Sequence, residues 1–254
     1  MKTRELLLAL LVPLTWALGF TVAKAALDEF PPLLLMSMRF FIAGLILIWF
    51  VPIPRHCLKD LFWISLVGST IQYGLTFTGL SMIDASLGGI IVQLEVPFSV
   101  LLAVIFFRER PGLLRIIGMT ISFIGIVLIA GRPGLSSHLE GILLTASGAL
   151  VWAVGQIMYK RISSQINGLT GIAWIGVIAA PQMLIGSMIF ETGQVDALMN
   201  ASWVGWTSVV YLGLIMTVVG YGIWFTVLAR NPVSHVMPVL LVLPVFTVLF
   251  SVLL

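Results

Sequence analysis

Apolar residues run in nine long stretches, 6–26, 32–52, 61–81, 85–107, 112–130, 139–160, 169–190, 202–228 and 233–254, and no other feature of the chain narrows its possible folds so far. An α-helix needs about 20 apolar residues to cross the ~30 Å hydrocarbon core of a bilayer, and each stretch is of that order. In lipid the backbone must satisfy its own hydrogen bonds within a segment, which excludes open sheets. The runs are continuous and lack the in-out alternation of outer-membrane barrel strands. Connections are short and leave no space for a soluble domain. Charged residues make up 9% of the 254, against roughly 25% in soluble domains. So few charges cannot build a water-facing surface, and the expected fold is an all-α integral membrane protein.

The charges that remain have a pattern. A net charge of +3 brings no basic stripe interleaved with aromatics, so nucleic acid is not an expected partner. With the N-terminus in the cytoplasm, the inner segments carry Lys2, Arg4, Arg55, Lys59, Arg108, Arg110, Arg115, Lys160, Arg161 and Arg230, ten of the 13 basic residues. Arg132 falls in an outer loop, and Lys24 and Arg39 lie in or beside spans. Asp28, Glu29, Asp84, Glu140, Glu191 and Asp196 fall outside. This asymmetry predicts an N-in orientation. The first segment also has the form of a signal peptide, with Lys2 and Arg4 before an apolar stretch and Ala23-Lys24-Ala25 as a loose cleavage site. Its repetition later in the chain argues against removal. The single Cys57 excludes an internal disulfide and a cysteine-based zinc site.

The repetition is specific. Trp16-Ala17-Leu18-Gly19 leads to Lys24, and Trp152-Ala153-Val154-Gly155 leads to Lys160, 136 residues on. Leu94-Glu95-Val96-Pro97, followed by Ser99, is echoed by Leu241-Val242-Leu243-Pro244, followed by Thr247. The chain therefore divides into two similar halves, 1–131 with five helices and 138–254 with four. Five helices is an odd number, so the second half is expected to be inserted upside down, a transporter architecture with its site near the midplane. Chance likeness between apolar helices is the competing explanation. By this reading the helix that would repeat the fifth is absent, and the sequence is expected to be truncated.

A few polar and aromatic residues inside the spans are candidates for the substrate path. Glu95 sits mid-helix, where a charge costs at least ~2.5–3.5 kcal/mol on insertion scales. It is expected either to face a cavity, binding a substrate amine or taking a proton, or to lock its helix to a neighbour through Arg39. Gln93, two residues away, is about 200° around an ideal helix. One of the two is expected to line the path and the other to bond a neighbouring helix, unless Pro97 distorts the turn. Ser65, Ser69, Gln72, Thr76 and Gly79 form one small, polar face of the third span. That face suits close helix packing, but Gln72 is too large for packing alone and is assigned to the cavity with its neighbour Tyr73. Trp16, Phe20 and Lys24 share one face of the first span, and Trp152, Gln156 and Lys160 one face of the sixth. A Trp or Lys near a helix end is commonly an interface anchor, yet Trp16 and Trp152 fall halfway through their spans. Tyr221 and Trp224, one turn apart, offer an aromatic wall or simple packing. His56, His138 and His235 are scattered near span ends. No zincin, Walker or Cys/His motif is present, so no enzyme activity, metal or cofactor is expected.

At these residues the chain resembles the EamA family of the drug/metabolite transporter superfamily. The likeness is carried by Trp16-Ala17-Leu18-Gly19-Phe20, by Pro31-Pro32-Leu33 followed by Arg39-Phe40, by Phe107-Arg108-Glu109-Arg110, and by Val218-Val219-Gly220-Tyr221-Gly222-Ile223-Trp224. The last group looks most like exporters of amino-acid metabolites of the cysteine and O-acetylserine type. The resemblance implies ten helices in two inverted halves around a central cavity, in the bacterial inner membrane. Where the family has Gly-Glu-Arg after its fourth helix, this chain has Arg108-Glu109-Arg110. The expected function is secondary export of a small, polar, amino-acid-like metabolite. A non-transporting membrane subunit, an inactive shortened transporter and, further off, a membrane enzyme on lipid substrates are the alternatives.

Overall fold

A computed structural model describes residues 3–109, 112–130 and 139–253, and no strand occurs among them. Lys2, Arg110, Pro111, Arg132 and His138 lie outside the described residues, as does the junction between the two expected halves. All nine expected runs are helical. They are α1 (Thr3–Leu27), α2 (Pro32–Leu47), α3 (Leu58–Ser65, a π-helical stretch Leu66–Ile71, then Gln72–Met82), α4 (Ala85–Val92 and Glu95–Phe107) and α5 (Leu113–Ala130). The rest are α6 (Leu139–Ile162), α7 (Gly168–Phe190), α8 (Trp203–Tyr211, π-helical Leu212–Tyr221, Gly222–Arg230) and α9 (Val233–Val236, 3-10 helical Met237–Val242, Leu243–Leu253).

Six of these, α1, α2, α4, α6, α7 and α8, are long and apolar enough to cross a membrane by length and composition. α3 is as long but carries the polar face of Ser65, Ser69, Gln72 and Thr76. In α5 and α9 the apolar helices are shorter, Ile116–Gly125 and Val233–Phe246. Large apolar side chains cover the outside of the bundle, among them Leu7, Trp49, Phe50, Ile105, Leu114 and Phe190. Such a surface is tolerable only against lipid.

The helix breaks have local causes. Pro97 lacks an N–H, and its ring crowds the carbonyl four residues back, at Gln93. The backbone before it tightens to 3-10 bonds, Gln93 N–H to Ile90 O (3.1 Å), Leu94 N–H to Ile91 O (3.0 Å) and Val96 N–H to Gln93 O (3.1 Å). α4 is thus split two residues before the proline. α9 has its 3-10 stretch in the corresponding place, ahead of Pro244. Arg108 ends α4 at φ 54°, the left-handed region. Glycine is favoured there because it has no Cβ to crowd the carbonyl.

In the packing, α2 lies along α7, α3 along α6, α4 against α6, and α1 against α8 and α9. α5 sits outside, touching α4 through the Phe98 and Phe123 rings, 5.4 Å apart. At the α3–α6 crossing Gly68 faces Gly155 so closely that a Cβ on either would meet the other's backbone. Small residues allow such approach between membrane helices, where packing rather than hydrophobic exclusion holds them together.

Candidate functional site

α1, α6 and α8 bring four large aromatic residues together at the centre of the bundle. The Trp16 ring lies 4.6 Å from Tyr221, 5.6 Å from Trp224 and 6.3 Å, edge-on, from Trp152. Trp152 and Trp224 are 5.8 Å apart. The Trp224 indole N–H donates to Gln156 Oε1 at 2.8 Å. These five residues are all buried, so the mid-span tryptophans are interior residues rather than interface anchors.

A cavity of about 20 Å³ opens beside this cluster, lined by residues that include Trp16, Phe20, Gln72, Tyr73, Glu95 and Tyr221. The break before Pro97 turns Glu95 into it. Among the described residues nothing donates a hydrogen bond to the Glu95 carboxylate and no cation pairs with it. Two other polar atoms of the lining, Trp16 Nε1 and Gln72 Oε1, are buried without a hydrogen-bond partner. The Gln72 amide instead donates to Thr76 Oγ1 at 2.9 Å. Gln93 does not line this cavity; it is buried elsewhere, its Oε1 unpartnered. Among the described residues its side chain makes no hydrogen bond to a neighbouring helix.

Arg39 is fully buried, and its partners are not Glu95. Its Nε donates to Thr217 Oγ1 at 2.6 Å and its Nη2 to the Tyr73 hydroxyl at 3.2 Å. The guanidinium also lies 4.8 Å from the Tyr73 ring centroid and 5.8 Å from that of Tyr221. The Tyr73 and Tyr221 hydroxyls are hydrogen-bonded to each other. Beyond them lies a second cavity of about 10 Å³, whose lining includes Ser69, Gln156, Tyr159 and, again, Tyr73 and Tyr221. One water molecule needs about 10–15 Å³. Each cavity therefore has space for about one water, and the conformation is closed to anything larger.

Glu95, Gln72, Tyr73, Trp16, Trp152, Gln156, Tyr221 and Trp224 thus line one of the two cavities or belong to the aromatic cluster, and Gln93 does neither. Arg39 stands behind the tyrosines. The face of α3 is divided, and Ser65 only bonds back to Leu61 O in its own helix. Gly68, Thr76 and Gly79 meet α6, while Ser69, Gln72 and Thr76 line cavities. Thr217 and Tyr159 were not among the expected residues.

The repeated lysines hold helix ends. Lys24 Nζ donates to Leu80 O, Ser81 O and Ile83 O at 2.9, 3.3 and 3.0 Å, where α3 stops. Lys160 Nζ donates to Leu228 O, Ala229 O and Asn231 O at 2.6, 3.3 and 2.8 Å, where α8 stops. The last carbonyls of a helix lack intrahelical donors and carry the negative end of its dipole, so an ammonium satisfies both needs. Carboxylates serve the opposite ends. Glu191 accepts from Leu33 N–H and Leu34 N–H at the start of α2. Glu109 accepts from Val233 N–H and Ser234 N–H at the start of α9. Glu29 accepts from the Ser202 hydroxyl and N–H before α8, bonds that hold its carboxyl below the usual carboxylate range.

The model of the EamA-like transporter family matches residues 3–131 and 139–254. This chain belongs to the EamA-like transporter family. It is 29% identical over 253 residues to a probable amino-acid metabolite efflux pump of Escherichia coli K12, covering 96% of this chain and 85% of that one. The corresponding protein of Salmonella typhimurium LT2, of the same description, is 30% identical over 253 residues with the same coverage, 96% and 85%. An uncharacterized transporter of Bacillus subtilis 168, YvbV, is 28% identical over 260 residues, 98% of this chain and 83% of that one. One crystal structure superposes with a TM-score of 0.75 at 19% identity, covering 100% of this chain and 89% of that one, a likeness of fold. The EamA-like chain is accordingly a multi-pass membrane protein of a transporter family.

Proposed function

We propose that this EamA-like protein is a secondary transporter exporting small amino-acid-like metabolites across the inner membrane, with Glu95 receiving the substrate's ammonium group. The observation that carries this reading is the Glu95 carboxylate, buried at a helix break in a cavity with neither hydrogen-bond nor ion partner. A carboxylate without a partner in a water-poor interior is costly. A substrate ammonium would relieve that cost through charge-assisted hydrogen bonds, which are strong where water is scarce. Trp16 and Tyr221 add aromatic faces, which attract cations. The printed descriptions of the E. coli and Salmonella relatives support an amino-acid metabolite as the cargo.

The architecture that goes with this reading is an inverted repeat of the 5+5 type, with halves 1–131 and 138–254 and the N-terminus in the cytoplasm. Equivalent contacts in the two halves support it. α3 packs on α6 as α8 packs on α1, and α4 on α6 as α9 on α1. Lys24 ties α1 to the end of α3 as Lys160 ties α6 to the end of α8. α3 and α8 both contain a π-helical stretch, which is rare and tends to mark functional positions.

The test is efflux of radiolabelled amino acids from proteoliposomes, with the unsubstituted protein and with Glu95→Gln. Gln keeps the shape and removes the charge. We expect normal membrane insertion and at least a tenfold loss of transport for amine-bearing substrates, about 1.4 kcal/mol. Unimpaired transport by the Gln variant would reduce Glu95 to a packing residue.

A further inference from the structure

Among the described residues, Tyr73 and Tyr221 are the only ones that line both cavities. Their hydroxyls are joined, so the two rings form a partition. Arg39 braces it from α2, bonding the Tyr73 hydroxyl and, through Thr217, the π-helical stretch of α8 that ends at Tyr221. Tyr73 lies two residues beyond the π-helical stretch of α3. A π turn holds one residue more than an α turn, and changing between the two moves a side chain around its helix. Both tyrosines therefore sit where a small register change would part them.

The chambers on the two sides differ in chemistry. One has the Glu95 carboxylate and the aromatic cluster. Among the described residues the other has no charged side chain in its lining; its polar groups besides the two tyrosines are Ser69, Gln156 and Tyr159. The Tyr159 hydroxyl is buried and has no hydrogen-bond partner, although a hydroxyl so placed ordinarily finds one. An unsatisfied donor at the wall of a polar chamber is a ready contact for a passing ligand. Gly68 and Gly155, in close contact, also belong to its lining.

We propose that the Tyr159 chamber is a second substrate compartment, uncharged and on the cytoplasmic side, and that the Tyr73–Tyr221 pair is the barrier between it and the outward Glu95 compartment. In the N-in orientation α3 runs outward, so Ser69 lies cytoplasmic to the tyrosines and Thr76 beyond them. A small polar metabolite is held first by neutral hydrogen bonds on Tyr159, Ser69 and Gln156. It meets the carboxylate once the tyrosines part. The inference rests on the proposed function for the N-in orientation and for a solute crossing the bundle.

Thiol labelling tests it without any substrate. Cys57, the one native cysteine, is replaced by Ala, and Ser69→Cys and Thr76→Cys are made singly in the full chain. Oriented membrane vesicles of both polarities are treated with a membrane-impermeant methanethiosulfonate. We expect Cys at 69 to react from the cytoplasmic face only and Cys at 76 from the outer face only, each during the openings that enlarge its chamber beyond the one-water volume of this conformation. Adding Tyr73→Phe with Tyr221→Phe keeps both rings and removes the joining bond, and each cysteine should then react from both faces. Reaction of both cysteines from one face in the unsubstituted pair, reversed sidedness, no reaction at either position, or one-sided labelling that survives the Phe pair would each overturn the proposal. Tyr159→Phe supplies a second measurement. It should leave the labelling pattern unchanged and raise the KM for transport about three- to tenfold, the worth of one neutral hydrogen bond. An unchanged KM would remove the compartment's binding role. Should labelling behave as expected while no amino acid is exported, the substrate assignment of the proposed function fails and the two-compartment path stands.

Discussion

Arg39 shows how much one side chain can be asked to do at the centre of a bundle. It is fully buried, and its fork reaches Thr217 and Tyr73 at once. A lysine keeps the charge but is a single point donor without the planar fork, so it cannot span both positions. Arg39→Lys should cost about 1.5–3 kcal/mol, the worth of a hydrogen bond from a charged group. Thermal unfolding in detergent would register this as a lower Tm. An unchanged Tm would mean the guanidinium bonds are not formed. The sequence shows of this only an arginine in or beside a span, a possible lock for the helix of Glu95. Glu95 was the natural candidate, being the nearest opposite charge in kind. The actual partners are neutral hydroxyls 34 and 178 residues away in the chain. Trp16 and Trp152 were legible because they recur at one spacing in a repeated motif. Tyr159 was not, because an apolar helix with an occasional Tyr is ordinary until its hydroxyl is seen to be unsatisfied.

At the scale of the element, helix ends are tied by charges from other helices, and this gives the repeated motif a physical purpose. A lysine five residues past a Gly was read as a possible interface anchor. In the structure Lys24 and Lys160 close the last turns of α3 and α8. Replacing either by Met keeps the apolar stem and strips three carbonyls of their donor. Each change should cost about 1–3 kcal/mol, and hydrogen exchange should quicken first at the end of the helix the lysine served. Uniform exchange along that helix would argue against the clamp. Arg108 gives the opposite expectation. It holds a left-handed conformation at the end of α4 where the family pattern has Gly. Arg108→Gly removes the Cβ clash and should stabilise the fold by about 0.5–1 kcal/mol after the extra chain entropy of glycine is counted. No gain in Tm would mean the left-handed turn carries no strain. Glu29 adds a dependence on pH. Its carboxyl is held below its ordinary value by the bonds from Ser202. The contribution is complete above the unfolded carboxylate pKa of about 4.3 and is lost as pH falls through the lower folded value. Glu29→Gln should lower Tm at neutral pH, where the contribution is complete, and flatten the Tm-versus-pH curve in that acidic window, so that the two proteins converge as pH falls.

For the whole molecule, the long apolar runs already imposed an all-helical membrane fold, and all nine are helices. What they could not convey is how unequal those helices are. α3 spends one face on hydroxyls and Gln72, and the apolar helices of α5 and α9 are shorter, Ile116–Gly125 and Val233–Phe246, so apolar length alone gives six candidate spans. Periodicity reads the average character of a segment, whereas a cavity is built from exceptions to it. The remaining question at this scale is orientation, and the charges decide what to expect. Ten of the 13 Lys and Arg residues fall on one side if the N-terminus is cytoplasmic, and basic loops resist translocation. The six acidic residues assigned to the other side include Glu29 and Glu191, which hold the starts of α8 and α2. The same orientation makes Lys160 a cytoplasmic clamp and Lys24 an outer one. A reporter fused after Pro111 should be active only as a cytoplasmic reporter, and one fused after Glu191 only as a periplasmic phosphatase. Both arms are needed, because a failed insertion silences phosphatase at every site and would imitate the first result alone. Phosphatase activity after Pro111, with none after Glu191, would reverse the bundle in the membrane and exchange the faces assigned to the two cavities.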